Sequence, residues 1–127
     1  MAILDYLKEG LNNFDIEGVK KYLYELEGND SWKEFIDNQE LGNCQSIVSD
    51  IKRKYPFVKS VFGEIYVDES YIDEDGEEQY KMTHHWIEYK NQIYEFSKGT
   101  LKDYITFENL YDVDPENESR YRGIREE

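Results

Sequence analysis

The chain has a single cysteine, Cys44, among its 127 residues. No internal disulfide can form, so nothing in the covalent structure requires an oxidising compartment. No apolar run approaches the ~20 residues of a membrane span. The opening Met1-Ala2-Ile3-Leu4-Asp5-Tyr6 has neither the basic region nor the long apolar stretch of a signal peptide. A cytoplasmic protein is expected. Positive charge is scarce too: 15 Lys and Arg stand against 29 Asp and Glu, for a formal charge of -14. Nucleic acids and anionic membranes both reward a basic face, so direct binding to either is not expected. The same excess permits a basic protein partner, or imitation of a polyanion. There are no internal repeats and no low-complexity segments, and the length suits one domain with a modest core. Aromatic bulk is plentiful instead. Twelve Tyr, six Phe and two Trp can build a small core from few residues.

The most informative stretch is His84-His85-Trp86-Ile87-Glu88-Tyr89, followed by Gln92-Ile93-Tyr94-Glu95-Phe96-Ser97. Both runs are rich in aromatic and β-branched residues, and Lys90-Asn91 between them reads as the turn of a tight hairpin. Alternation puts His84, Trp86 and Glu88 on one face and His85, Ile87 and Tyr89 on the other. A carboxylate on the second strand can then orient an imidazole on the first. Glu95 is the better candidate for that role. Glu88 shares the face of His84 but lies roughly 13 Å further along the strand, and is expected to be a solvated carboxylate. Two rings sent to opposite faces do not easily share one metal, and no further ligands are grouped nearby, so no metal is expected. Trp86 is expected as core or pocket wall.

That pair lacks a nucleophile, and Cys44 can supply one. Ile47, Val48 and Ile51 recur at helical spacing and Asn43 is a good N-cap residue, which puts Cys44 in the first turn of a helix. The positive end of the helix dipole there favours the thiolate. The alternative is a small, buried, unreactive residue. Cys44 N–H with Gln39 or Asn43 would form an oxyanion site.

These pieces together resemble the transglutaminase-like branch of the papain-like cysteine-hydrolase fold. Gly42-Asn43-Cys44 looks like its Gly-x-Cys turn, and Val61-Phe62-Gly63-Glu64-Ile65 after Tyr55-Pro56 like its glycine-bearing strand. His84-His85-Trp86-Ile87-Glu88 is similar to its His-x-Trp-x-Glu strand, and Glu95-Phe96-Ser97 falls where the family has an acid and then a hydroxyl residue. The resemblance covers Leu41 to Ser97. It implies a Cys44-His84-Glu95 triad, with His84 rather than His85 as the base, acting on a protein, peptide or other amide substrate without a cofactor. Glu95 is one methylene longer than the aspartate of the pattern.

The remaining chain frames that core. Ile3, Leu4, Leu7 and Leu11 predict a first helix. Asp15 caps a second with Ile16, Val19, Leu23 and Leu26, stopped by Gly28, and Ser31-Trp32-Lys33-Glu34 is a capping box opening a third. Residues 1–40 thus form a helical lead-in within the one domain. The Cys44 helix should end before Pro56. A strand follows from Val58 to about Val67, and Asp68 to Glu78 reads as a long acidic hairpin tip turning at Asp75-Gly76. That tip lacks the spacing of a calcium loop. Short helices are expected over 98–111, and the polar stretch 112–127 is expected to be irregular. The fold class is α+β, with helices packed on a small antiparallel sheet. Two functions compete: cysteine-dependent acyl transfer, by hydrolysis or transfer, and a non-enzymatic acidic protein that occludes a basic partner surface. Separation of Cys44 from both histidines by more than ~6 Å would favour the second.

Overall fold

The computed structural model describes residues 14–39, 43–97, 113 and 115–127. The first predicted helix, apart from Phe14, and the predicted short helices over 98–111 lie outside them, as does Gly42. The described chain is α+β. Helices α1 (Ile16–Leu26), α2 (Trp32–Asp37) and α3 (Cys44–Lys54) precede strands β1 (Lys59–Ile72), β2 (Glu78–Tyr89) and β3 (Gln92–Tyr94). One turn of helix, α4 (Pro115–Glu118), leads into β4 (Tyr121–Glu126).

The helix ends follow local chemistry. Asp15 caps α1 by accepting from Gly18 N–H at 2.9 Å. At the other end Asn29 N–H reaches Tyr24 C=O and Gly28 N–H reaches Glu25 C=O, a Schellman closure that needs the positive φ of Gly28. Ser31 Oγ accepts from Glu34 N–H, but the Glu34 carboxylate returns to Asp30 N–H, one residue before the cap. Helix α3 stops at Tyr55, with φ -122° and ψ 71°, because Pro56 excludes the residue before it from helical conformation. Asn43 departs from expectation. Its side chain makes no capping hydrogen bond.

The sheet is antiparallel throughout, in the order β3-β2-β1-β4. Lys90 and Asn91 both take positive φ (50° and 63°) in the two-residue turn joining β2 to β3, the handedness that matches strand twist. The acidic tip is shorter than expected. Pairing continues to Ile72 and Glu78, past an irregularity between Tyr66 and Tyr71, leaving only 73–77 as the turn. Asp73 organises it, its carboxylate accepting from Asp75 N–H, Glu77 N–H and the Gln79 amide.

Residues 121–126 form β4, where an irregular tail was expected. The strand pairs with β1 from Ile65↔Tyr121 to Val61↔Glu126, and of its residues only Tyr121 packs against the core. A charged edge strand with one anchoring aromatic has the composition of a polar tail; backbone pairing, not apolar burial, holds it. Gly63 permits this approach. A Cβ there would stand 2.1 Å from Arg122 C=O and 2.6 Å from the Trp86 ring.

Apolar residues cover both sheet faces. Phe14, Val19, Leu23, Phe35, Ile47, Val48 and Ile51 gather with Ile87 beneath the helices. On the opposite face Val61, Trp86, Ile93 and Val113 form a second cluster, with Tyr121 against it. Phe14 alone meets the rings of Tyr55, Tyr89, Tyr94 and Phe96 edge-on. Phe14, Phe35, Trp86 and Phe96 are thus core, whereas Tyr66 and Tyr80 are exposed.

Candidate active site

Strand β3 pairs only with Ile87–Tyr89, so among the described residues β2 has an open edge at His84 and His85. The first residue of α3, Cys44, lies off that edge. Its sulfur is 3.8 Å from Nδ1 of His85. The His84 ring and the His85 backbone N–H are also near enough to lower its pKa. Alternation sends the two rings to opposite faces, yet a thiol beyond the edge of the sheet meets both. His85, a pocket candidate from the sequence, thus touches the sulfur directly.

His84 is buried, and its Nε2 meets Glu95 Oε1, both side chains almost wholly enclosed. A carboxylate only accepts, so Nε2 carries the proton and Nδ1 is left for the thiol. Glu95 sits one residue past β3 and not within it, fully buried, with its second oxygen lacking a partner among the described residues. Burial opposes charge on His84, but the negative Glu95 and the hydrogen bond to Cys44 outweigh it and raise the imidazole well above its ordinary value. Cys44 mirrors this. Burial would push the thiol up, but hydrogen bonding and charge from His84, then the His85 contacts, bring it down to about 7. The pair rests as thiolate and imidazolium.

His85 has its own carboxylate. Its Nε2–H donates to Glu127 Oε1 at 2.9 Å, which turns Nδ1 toward the sulfur. Glu127 is held by Arg125 Nε at 3.3 Å and by its own N–H on Ser60 C=O. The sequence offered no signal for this contact, since nothing local marks Glu127 as near Cys44.

The other expected site residues take varied places. Trp86 is core: its ring stacks over His84 at 6.4 Å, meets Tyr121 edge-on, and its Nε1–H donates to Glu88. Glu88 is thus half-buried against Trp86, where a solvated carboxylate was expected. Gln39 gives an amide N–H to Phe96 C=O at 3.3 Å, and Oε1 of Gln39 and Oδ1 of Asn43 are buried without a partner among the described residues. Both side chains line a polar cavity of about 300 Å³ with Ser46 and Ile47 of α3, and His85 and Glu127 line another of about 310 Å³ with Gln45 and Ser49 of the same helix. Tyr121, also unforeseen, has a buried hydroxyl without a partner among the described residues, and burial, then the charge of Glu95, raises it well above its ordinary value. No group of three or more His, Cys, Asp and Glu suited to a metal occurs among the described residues, and no helix there is long and apolar enough to cross a membrane.

No family model, curated protein or solved structure matches the chain.

Proposed function

We propose that the chain is a cysteine-dependent acyl-transfer enzyme on a transglutaminase-like scaffold, acting at the amide bond of a protein or peptide. The observation that supports this most directly is Cys44 at a helix start, lowered to about 7 beside a buried His84–Glu95 pair. A small unreactive core cysteine has no need of two imidazoles. Cys44 gives its proton to His84, Glu95 holds that ring as a cation, and the thiolate attacks the acyl carbon. The oxyanion would be met by Cys44 N–H, unsatisfied within the helix at this position, and by the Asn43 side chain, which makes no cap bond. The binding-protein reading loses weight because the thiol and His85 stand 3.8 Å apart, well inside ~6 Å.

The test is acyl-enzyme formation. p-Nitrophenyl acetate should acetylate Cys44 at neutral pH much faster than it acetylates a free thiol, as read by intact mass and peptide mapping. Cys44→Ala should take up no acetyl group and keep its fold. Acetylation at the rate of an ordinary thiol would end the proposal.

A further inference from the structure

Cys44 is flanked by two imidazole–carboxylate pairs, and they are built differently. His84 is enclosed, its side chain 2 % exposed, with Nε2–H committed to Glu95. A leaving group or a water could not readily reach it. His85 is 14 % exposed and lines the cavity of about 310 Å³ together with Gln45, Ser49, Lys52 and Ser60, a space His84 does not border. Its ring is fixed by Phe62, with centroids 4.9 Å apart, and by Glu127 on Nε2. Nδ1 is thereby aimed at the sulfur at 3.8 Å, where a thioester carbon would form.

Resting on the acyl-transfer reading, we propose that the two histidines divide the work: His84–Glu95 holds the thiolate, and His85, positioned by Glu127, carries protons to and from the substrate. In acylation the C–S bond forms, the C–N bond breaks, and the departing nitrogen takes a proton from Nδ1 of protonated His85. In deacylation a water entering from the cavity gives its proton to Nδ1 as its oxygen bonds the acyl carbon. The C–S bond then breaks and the thiolate returns beside His84. One water is consumed, one acid and one amine leave, and His85 ends protonated as it began. Glu127 touches no reacting atom; it is a positioning residue.

The experiment separates capture from release. Cys44 is acetylated with p-nitrophenyl acetate, excess reagent is removed, and loss of the acetyl group is followed by mass in the wild type, His85→Ala, Glu127→Ala and Glu127→Gln. His85→Ala should still be acetylated, more slowly because the thiol loses its His85 contact, but acetate release, followed from fully acetylated protein, should fall on the order of a hundredfold, the scale of general base catalysis. Added imidazole should restore release in that variant. Glu127→Ala should slow release by about tenfold, and Glu127→Gln, which keeps an acceptor oxygen, should recover most of it. Equal release from wild type and His85→Ala, or slow release that imidazole does not relieve, would overturn the division of labour and leave the nucleophile intact. A wild-type Cys44 that is not acetylated faster than a free thiol would remove the acyl-transfer reading and this one together.

Discussion

Cys44 and His84 share one proton in the native state, and this sets how pH acts on the fold. Folded, the proton sits on the imidazole; unfolded, between about pH 7 and 8.5, it sits on the thiol and the histidine is neutral. The proton count is the same in both states, so the pair contributes little slope in that window. Its two halves have opposite signs. The lowered thiol stabilises above its unfolded value and loses that contribution as pH falls through about 7. The raised imidazole stabilises fully below ~6.5 and loses that contribution as pH rises toward its folded value. Cys44→Ala removes only the first half, because Glu95 still holds His84 charged. Urea midpoints of that variant should fall from about pH 6.5 to 8.5 more steeply than those of the wild type; parallel profiles would contradict the ion pair. Glu95→Ala should cost more than either, about 3 kcal/mol or above, since it strands a buried imidazolium. Of this chemistry, Cys44, His84 and Glu95 were legible in residue type and order. Glu127 was not, because its approach to His85 depends on a strand pairing more than sixty residues away in sequence from its partner.

Among the elements, the β2–β3 hairpin was the easiest to read and β4 the hardest, for one physical reason. A strand that buries an apolar face writes alternation into its sequence, as Trp86, Ile87 and Ile93 do. An edge strand held by backbone bonds writes almost nothing: Tyr121 and Ile124, its two large apolar residues, are three apart, a spacing that simple alternation does not produce. The link between the two regions is Gly63. Gly63→Ala should destabilise by at least about 2 kcal/mol, since the added carbon meets backbone on one side and Trp86 on the other. Amide exchange should show β4 lost first; protection of β4 equal to wild type would contradict the packing. The turn offers the reverse test. Lys90 and Asn91 bear positive φ at a cost that Asn-Gly would avoid, so that double replacement should stabilise by about 0.5–1 kcal/mol in urea unfolding.

At the scale of the whole molecule, a charge of -14 over 127 residues means self-repulsion. Melting temperature should rise between about 10 mM and 200 mM salt as that repulsion is screened, and an unchanged or falling value would mean that local ion pairs dominate. On the proposed acyl-transfer reading, the same field favours amide substrates carried on basic peptides. All of the proposed chemistry, however, depends on one property of the folded chain: a thiol made acidic by His84. It is read most directly from the rate of Cys44 alkylation by iodoacetamide across about pH 5 to 9, in wild type and His84→Ala. The wild-type rate should climb with a midpoint at about 7, and loss of His84 should move that midpoint up toward the ~8.5 of an ordinary thiol. An inert wild-type thiol, or a midpoint that His84→Ala leaves in place, would contradict the account.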